Sequence, residues 1–96
     1  MNDLQFEWDL AKAAKNRRDH RVTFEEASTV WKDPHRIVEP DVVHSTEFEE
    51  REQILALSER LRLLVVIFTR RNETTIRLIS ARRATKAEAR RYAEQA

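Results

Sequence analysis

Ninety-six residues, 41% hydrophobic and 36% charged, describe one small domain with a modest core under a heavily charged surface. The chain has no cysteine, which excludes disulfides and thiolate metal sites and suits a reducing compartment, and no glycine, which excludes Gly-rich phosphate loops and dinucleotide fingerprints. The net charge of +1 hides an uneven layout: residues 70–91 hold eight basic and two acidic residues, a local +6, while residues 47–52 hold four acids and one arginine, a local −3. That asymmetry suggests a basic binding face and a separate acidic one. No apolar run is long enough to span a membrane, and the N-terminus lacks a basic stretch followed by an apolar core. The expectation is a cytoplasmic chain without a signal peptide.

In chain order, Leu4, Phe6 and Trp8 alternate on one face of a first short strand. Asp9 is placed to cap a helix over residues 10–19, whose basic far end, Lys15, Arg17 and Arg18, meets the helix dipole favourably. Thr23-Phe-Glu-Glu26 reads as a capping box in which Glu26 reaches back. It opens a second helix to about Lys32 with Phe24, Ala27, Val30 and Trp31 inward, ended by Asp33-Pro34. Residues 35–43, interrupted by Pro40, read as an edge strand or irregular connection. An acidic loop over 45–50 leads to a strand over 51–58, a turn at Glu59-Arg60 and a strand over 61–68.

Residues 63–68, unbroken and rich in β-branched side chains, pair through a polar link with residues 75–81 as an antiparallel hairpin. Alternation puts Ile76, Leu78 and Ser80 on one face of the second strand and Arg77, Ile79 and Ala81 on the other. Thr85-Lys-Ala-Glu88 opens a last helix to the C-terminus, anchored by Tyr92. The sum is an α+β domain: one curved antiparallel sheet with two N-terminal helices and one C-terminal helix on one side. A rigid hairpin that carries Arg77 and ends in Arg82-Arg83 is a device for gripping phosphates.

Phe6-Glu-Trp-Asp9, Lys15-Asn16, His20 and Val22-x-Phe-Glu-Glu-Ala27 resemble the opening of the BrnT family of toxins. Glu49-Glu-Arg51, Arg62-Leu-Leu-Val-Val66 and Ile79-Ser-Ala-Arg-Arg-Ala84 continue the likeness in the family's order. The resemblance covers nearly the whole chain. It implies a RelE-like fold and a ribonuclease toxin of a bacterial type II toxin–antitoxin pair. The implied partner is a BrnA-like ribbon-helix-helix antitoxin, with operator DNA bound only through the complex. Two departures stand out. The family often has glycine after the histidine, where this chain has Arg21, and before the Arg-Leu-Leu-Val-Val run, where it has Leu61.

His20, His35 and His44 form no i, i+4 pair, and no acidic cluster offers hard-metal geometry, so no metal and no cofactor is expected. What remains is RNA cleavage by side chains: the 2′-hydroxyl attacks the adjacent phosphate, protons are exchanged, and arginine stabilises the added negative charge. Arg77, Arg82 and Arg83 are the candidates for phosphate contact; Arg51, Glu50 as base, and Lys15 and His20 are the catalytic candidates. Each has a plainer reading. Arg77 would pair with Glu52 or Glu73 on the sheet, Arg82 and Arg83 would contact the last helix, His20 would cap the first helix, and Glu50 would belong to a solvated loop. A non-catalytic nucleic-acid-binding or antitoxin-partner module, or a purely structural domain, fits the same residues.

Overall fold

A computed structural model describes residues 3–95. Its order is β1 (Gln5–Glu7), α1 (Leu10–His20), α2 (Phe24–Ser28), a 3-10 turn (Thr29–Lys32), β2 (Ile37–Pro40), β3 (Glu52–Leu57), β4 (Leu63–Arg70), β5 (Thr75–Arg83) and α3 (Lys86–Gln95). One five-stranded sheet runs β1-β5-β4-β3-β2. The expected hairpin is there, with β4 and β5 antiparallel. The sheet itself is mixed rather than antiparallel, because β1 lies parallel to β5: α1 and α2 carry the chain back across before the later strands form. The proposed edge strand around Pro40 is β2, where a proline leaves no central ladder bond unmade.

Local chemistry accounts for the helix starts. The Asp9 carboxylate accepts the Lys12 N–H at 3.0 Å, and the Thr23 hydroxyl accepts the Glu26 N–H at 3.1 Å. The first capping box is only half made, since the Glu26 carboxylate turns into the protein rather than back to Thr23. The second is complete: Thr85 N–H donates to Glu88 at 2.8 Å and Glu88 N–H to the Thr85 hydroxyl at 3.2 Å. The expected helix to Lys32 tightens into a 3-10 turn after Ser28. The last helix is described to Gln95; Ala96 lies outside the described residues.

One face of the sheet makes the core. Ile54, Ala56, Leu64, Val66, Phe68, Ile76, Leu78 and Ala81 pack against Val22, Phe24, Ala27 and Val30. Trp31 lies between Phe6, at 5.1 Å, and Phe68, at 4.9 Å. The helices do not share one side, however. α3 lies over the second face: its Glu88 holds Arg82 and its Arg91 holds Glu39, which is itself bonded to Gln53. Leu55 and Val65, buried outside the main core, belong to that face too. Tyr92 anchors α3 as expected, donating to the buried Asp33 carboxylate at 2.5 Å.

The face assignment on β5 is corrected by a bulge. Phe68 pairs with Leu78 but Ile67 pairs with Ser80, so Ile79 is an extra residue. Beyond it the alternation inverts. Ala81, not Ser80, joins Ile76 and Leu78 in the core, and Arg82 comes to the same side as Arg77. Among the described residues, no helix is long and apolar enough to cross a membrane.

Two left-handed residues, Arg21 at φ 57° and Leu61 at φ 60°, occupy the two positions where the resemblance leads one to expect glycine. Arg21 ends α1 through its N–H to the Arg17 carbonyl at 2.9 Å. Leu61 closes the five-residue β3–β4 connection, residues 58–62: its N–H reaches the Ser58 carbonyl at 2.9 Å, and Ser58 N–H reaches the Arg62 carbonyl at 2.9 Å. The turns survive the loss of glycine, in conformations that a Cβ disfavours.

Beneath those turns sits an ion pair whose glutamate is buried and whose arginine is half-buried. The Arg62 guanidinium grips both Glu26 oxygens and also donates to the Arg21 carbonyl at 3.1 Å, while Ser58 donates to Glu26 at 2.7 Å. The Arg62 guanidinium holds the Glu26 carboxyl below the usual carboxylate range, despite burial.

Candidate active site

The second sheet face carries an open groove of about 270 Å³ lined by Asp41, His44, Arg51, Gln53, Ile67, Ile79, Ser80 and Arg82. Its floor is a single cross-strand row, Gln53–Ile67–Ser80, each residue the direct register partner of the next. The β5 bulge is what builds it: without the extra Ile79, Ser80 and Arg82 would turn into the core.

One wall is the loop between β2 and β3. Asp41 N–H donates to the Arg51 carbonyl at 2.8 Å, one step past the Pro40–Glu52 pair, so Asp41 and Arg51 face each other at the loop's mouth. Ser45 locks the loop from within: its hydroxyl donates to the Asp41 carbonyl at 2.8 Å and accepts the Arg51 N–H at 2.8 Å. Arg51 lies just outside the strand expected to begin with it, and that releases its side chain to the groove. Its Nε donates to Glu49 at 2.8 Å, and the arginine holds the Glu49 carboxyl down. Among the described residues its two terminal amino groups have no partner.

The opposite wall is Arg82. Glu88 at the start of α3 takes it with two bonds, 2.8 and 3.0 Å. Arg82 holds the Glu88 carboxyl down at about 2, and Glu88 in turn raises the guanidinium.

The remaining candidates fall in other places. Lys15 and His20 line a second groove of about 230 Å³ with Lys12, Asn16 and Asp19. Ile79 and Ser80 line both grooves, so the two adjoin across the outer edge of β5. Asn16 secures that edge, where β1 no longer pairs: its amide accepts the Ala81 N–H at 3.0 Å and donates to the Ala81 and Val22 carbonyls, both at 2.9 Å. Lys15 is engaged by Asp19 at 2.6 Å. His20 makes no cap; Arg21 ends the helix instead.

Arg77 lies at the other end of β5 and binds Glu7 at 2.8 Å, not Glu52 or Glu73; Glu52 is taken by Arg70. Arg83 is exposed, points to the face away from Arg82, and lines neither groove. Glu50 lines a surface of about 250 Å³ with Arg70 and Arg71, its carbonyl bonded to Thr69 at 2.9 Å, and it also lines, with Arg51, a separate groove of about 400 Å³. The structure therefore brings together Arg51 and Arg82, sets Lys15 and His20 beside them, keeps Glu50 next to Arg51 but in a different groove, and leaves out Arg77 and Arg83.

Sequence reasoning passed over Asp41, His44 and Ser80. Asp41 and His44 had a readable signal, an Asp-x-x-His spacing directly after the proline that ends a strand. Ser80 had none, because a bulge leaves no mark in a short β-branched run. Among the described residues, no group of three His, Cys, Asp or Glu side chains is placed to hold a metal.

Comparisons with known proteins agree with this architecture. The chain resembles the crystal structure of the Brucella abortus ribonuclease toxin BrnT with a TM-score of 0.66 at 21% identity, over 86% of this chain and 99% of that one. No curated protein matches. Residues 8–88 match the family described as the ribonuclease toxin BrnT of type II toxin–antitoxin systems. The chain belongs to the BrnT family of ribonuclease toxins.

Proposed function

We propose that this chain is a cytoplasmic endoribonuclease, of a fold akin to the RelE-type toxins, that cleaves RNA at the groove on the second sheet face. The observation that carries the reading is the pair of guanidinium groups, Arg51 and Arg82, on opposite walls of one groove whose floor is the Gln53–Ile67–Ser80 row. A phosphodiester lying on that row would meet an arginine on either side. In the reaction the 2′-oxygen bonds to phosphorus and the bond to the 5′-oxygen breaks, giving a 2′,3′-cyclic phosphate and a 5′-hydroxyl. Arg51, with unengaged terminal N–H groups, is the stronger binder of the negative charge that builds on the phosphoryl oxygens. Arg82, fixed by Glu88, offers a pre-oriented but partly occupied fork. RNA that crosses the β5 bulge would run on towards Lys15 and His20, which places them as contacts to the flanking backbone.

The groove's polar groups are two guanidinium groups, an imidazole, a hydroxyl, a carboxamide and one carboxylate, among them the proton-transfer and charge-stabilising groups that metal-independent cleavage needs. The family implies a protein antitoxin; a BrnA-like ribbon-helix-helix protein covering the groove would neutralise the chain. The test is digestion of a labelled RNA with the purified protein. Cleavage that falls on the order of 100-fold on Arg51→Ala supports the reading.

One observation favours a second reading. Glu88 already holds Arg82 with two hydrogen bonds, as in a structural ion pair. A non-catalytic nucleic-acid-binding or antitoxin-partner module would bind RNA in a salt-sensitive way without cutting it.

A further inference from the structure

Asp41 is a buried carboxylate, 8% exposed, whose one side-chain partner among the described residues is the ring of His44. The contact is 2.7 Å, from His44 Nδ1 to Asp41 Oδ2, and the histidine side chain is 61% exposed. An ionised carboxylate only accepts, so this contact puts the hydrogen on Nδ1, and in the neutral ring the lone pair is then on Nε2. A buried carboxylate is costly unless it is hydrogen-bonded, and here its side-chain partner is His44 rather than the backbone of the loop. Its closure rests on main-chain bonds from Asp41 to Arg51 and from Ser45 to Asp41, and on the Ser45 hydroxyl. What the carboxylate does is fix one tautomer and one ring orientation of a histidine in the same groove as Arg51, Arg82 and Ser80.

We propose that His44 is a catalytic residue of the cleavage and that Asp41 is the positioning residue that orients it. The inference rests on the ribonuclease reading above and supplies its missing base. His44 Nε2 takes the proton of the attacking 2′-hydroxyl as the 2′-oxygen bonds to phosphorus. As the bond to the 5′-oxygen breaks, that oxygen takes a proton from water in the open groove. The imidazolium then returns its proton to the hydroxide so formed, and no water is consumed. The nearby arginines hold the charge on the phosphoryl oxygens throughout. The charged groups facing the ring are Asp41 and Arg51 from the loop and Arg82 from β5, with Glu49 and Glu88 behind the two arginines.

The experiment measures cleavage of a short RNA by the full chain, and binding of its uncleavable 2′-deoxy analogue, for the parent protein, His44→Gln, His44→Ala, Asp41→Asn and the control His35→Gln. The expected result is a loss of about 100-fold or more in kcat for His44→Gln, with analogue binding unchanged and His35→Gln unaffected. Added imidazole restores part of the activity of His44→Ala and none of that of Asp41→Asn. The parent's rise in kcat/KM with pH, as neutral base becomes available, disappears in His44→Gln. If the parent cleaves and His44→Gln cleaves equally well, or loses only binding, the inference is overturned while the ribonuclease reading stands. If the parent itself leaves RNA intact, the ribonuclease reading falls and takes this inference with it.

Discussion

Replacing Leu61 by glycine is expected to stabilise the protein, although it removes a leucine. Leu61 sits at φ 60° with its side chain 81% exposed. An L-residue in the left-handed region costs roughly 1–2 kcal/mol, and glycine removes that cost. Glycine also loosens the unfolded chain, which takes back about 0.4–1 kcal/mol. The side chain buries little, so its loss adds little. The net gain is about 0.5–1 kcal/mol, which in a domain of this size raises Tm by about 2–8 °C. Leu61→Ala is the control: it discards the same side chain but keeps the Cβ, and so keeps the strain. Thermal and urea unfolding of the parent and both variants decide the matter. A Leu61→Gly protein no more stable than Leu61→Ala would refute the reasoning, because the left-handed turn would then carry no measurable cost.

Other consequences follow from the same geometry. Arg62→Ala leaves Glu26 charged and buried without its partner, and should lower unfolding stability by about 3 kcal/mol or more in a urea titration. Asn16→Ala orphans the Ala81 N–H and carbonyl at the sheet edge, at about 1–3 kcal/mol per group, and speeds hydrogen exchange at Ala81. The fold should weaken in acid. Glu88 stays ionised down to about 2 in the native state against an ordinary 4.5, and Glu26 and Glu39 are also lowered. As pH falls from 4.5 towards 2, the unfolded chain takes up protons that the native one does not, so stability is full above that window and is lost within it. Urea midpoints at pH 7, 4 and 3 check the sign, and Glu88→Gln should flatten the slope.

Much of the fold was legible because it is written locally. Asp9, Thr23 and Thr85 cap the helices they precede, and residues 63–68 could hardly be anything but a central strand. Features that depend on distant partners were not. Nothing near Gln5 says that it will run parallel to Thr75, and nothing near Glu26 says that Arg62 will draw it inward. The site suffered most from one residue. The bulge at Ile79 inverts every side chain after it, so period-two counting sent Ser80 to the core and missed the groove. Arg77, Arg82 and Arg83 looked alike as sequence, yet the first is paired with Glu7, the second walls the groove and the third faces away. The two absent glycines were legible as positions, and the structure supplies their conformation.

The measurement that bears most directly on the account is cleavage of a 5′-labelled RNA by the purified chain in the presence of a chelator, with analysis of the fragment ends. The account expects fragments ending in 2′,3′-cyclic phosphate, abolished when Arg51 and Arg82 are both replaced by alanine in a protein that still folds. RNA that stays intact, or cleavage that persists undiminished in that double variant, would contradict it.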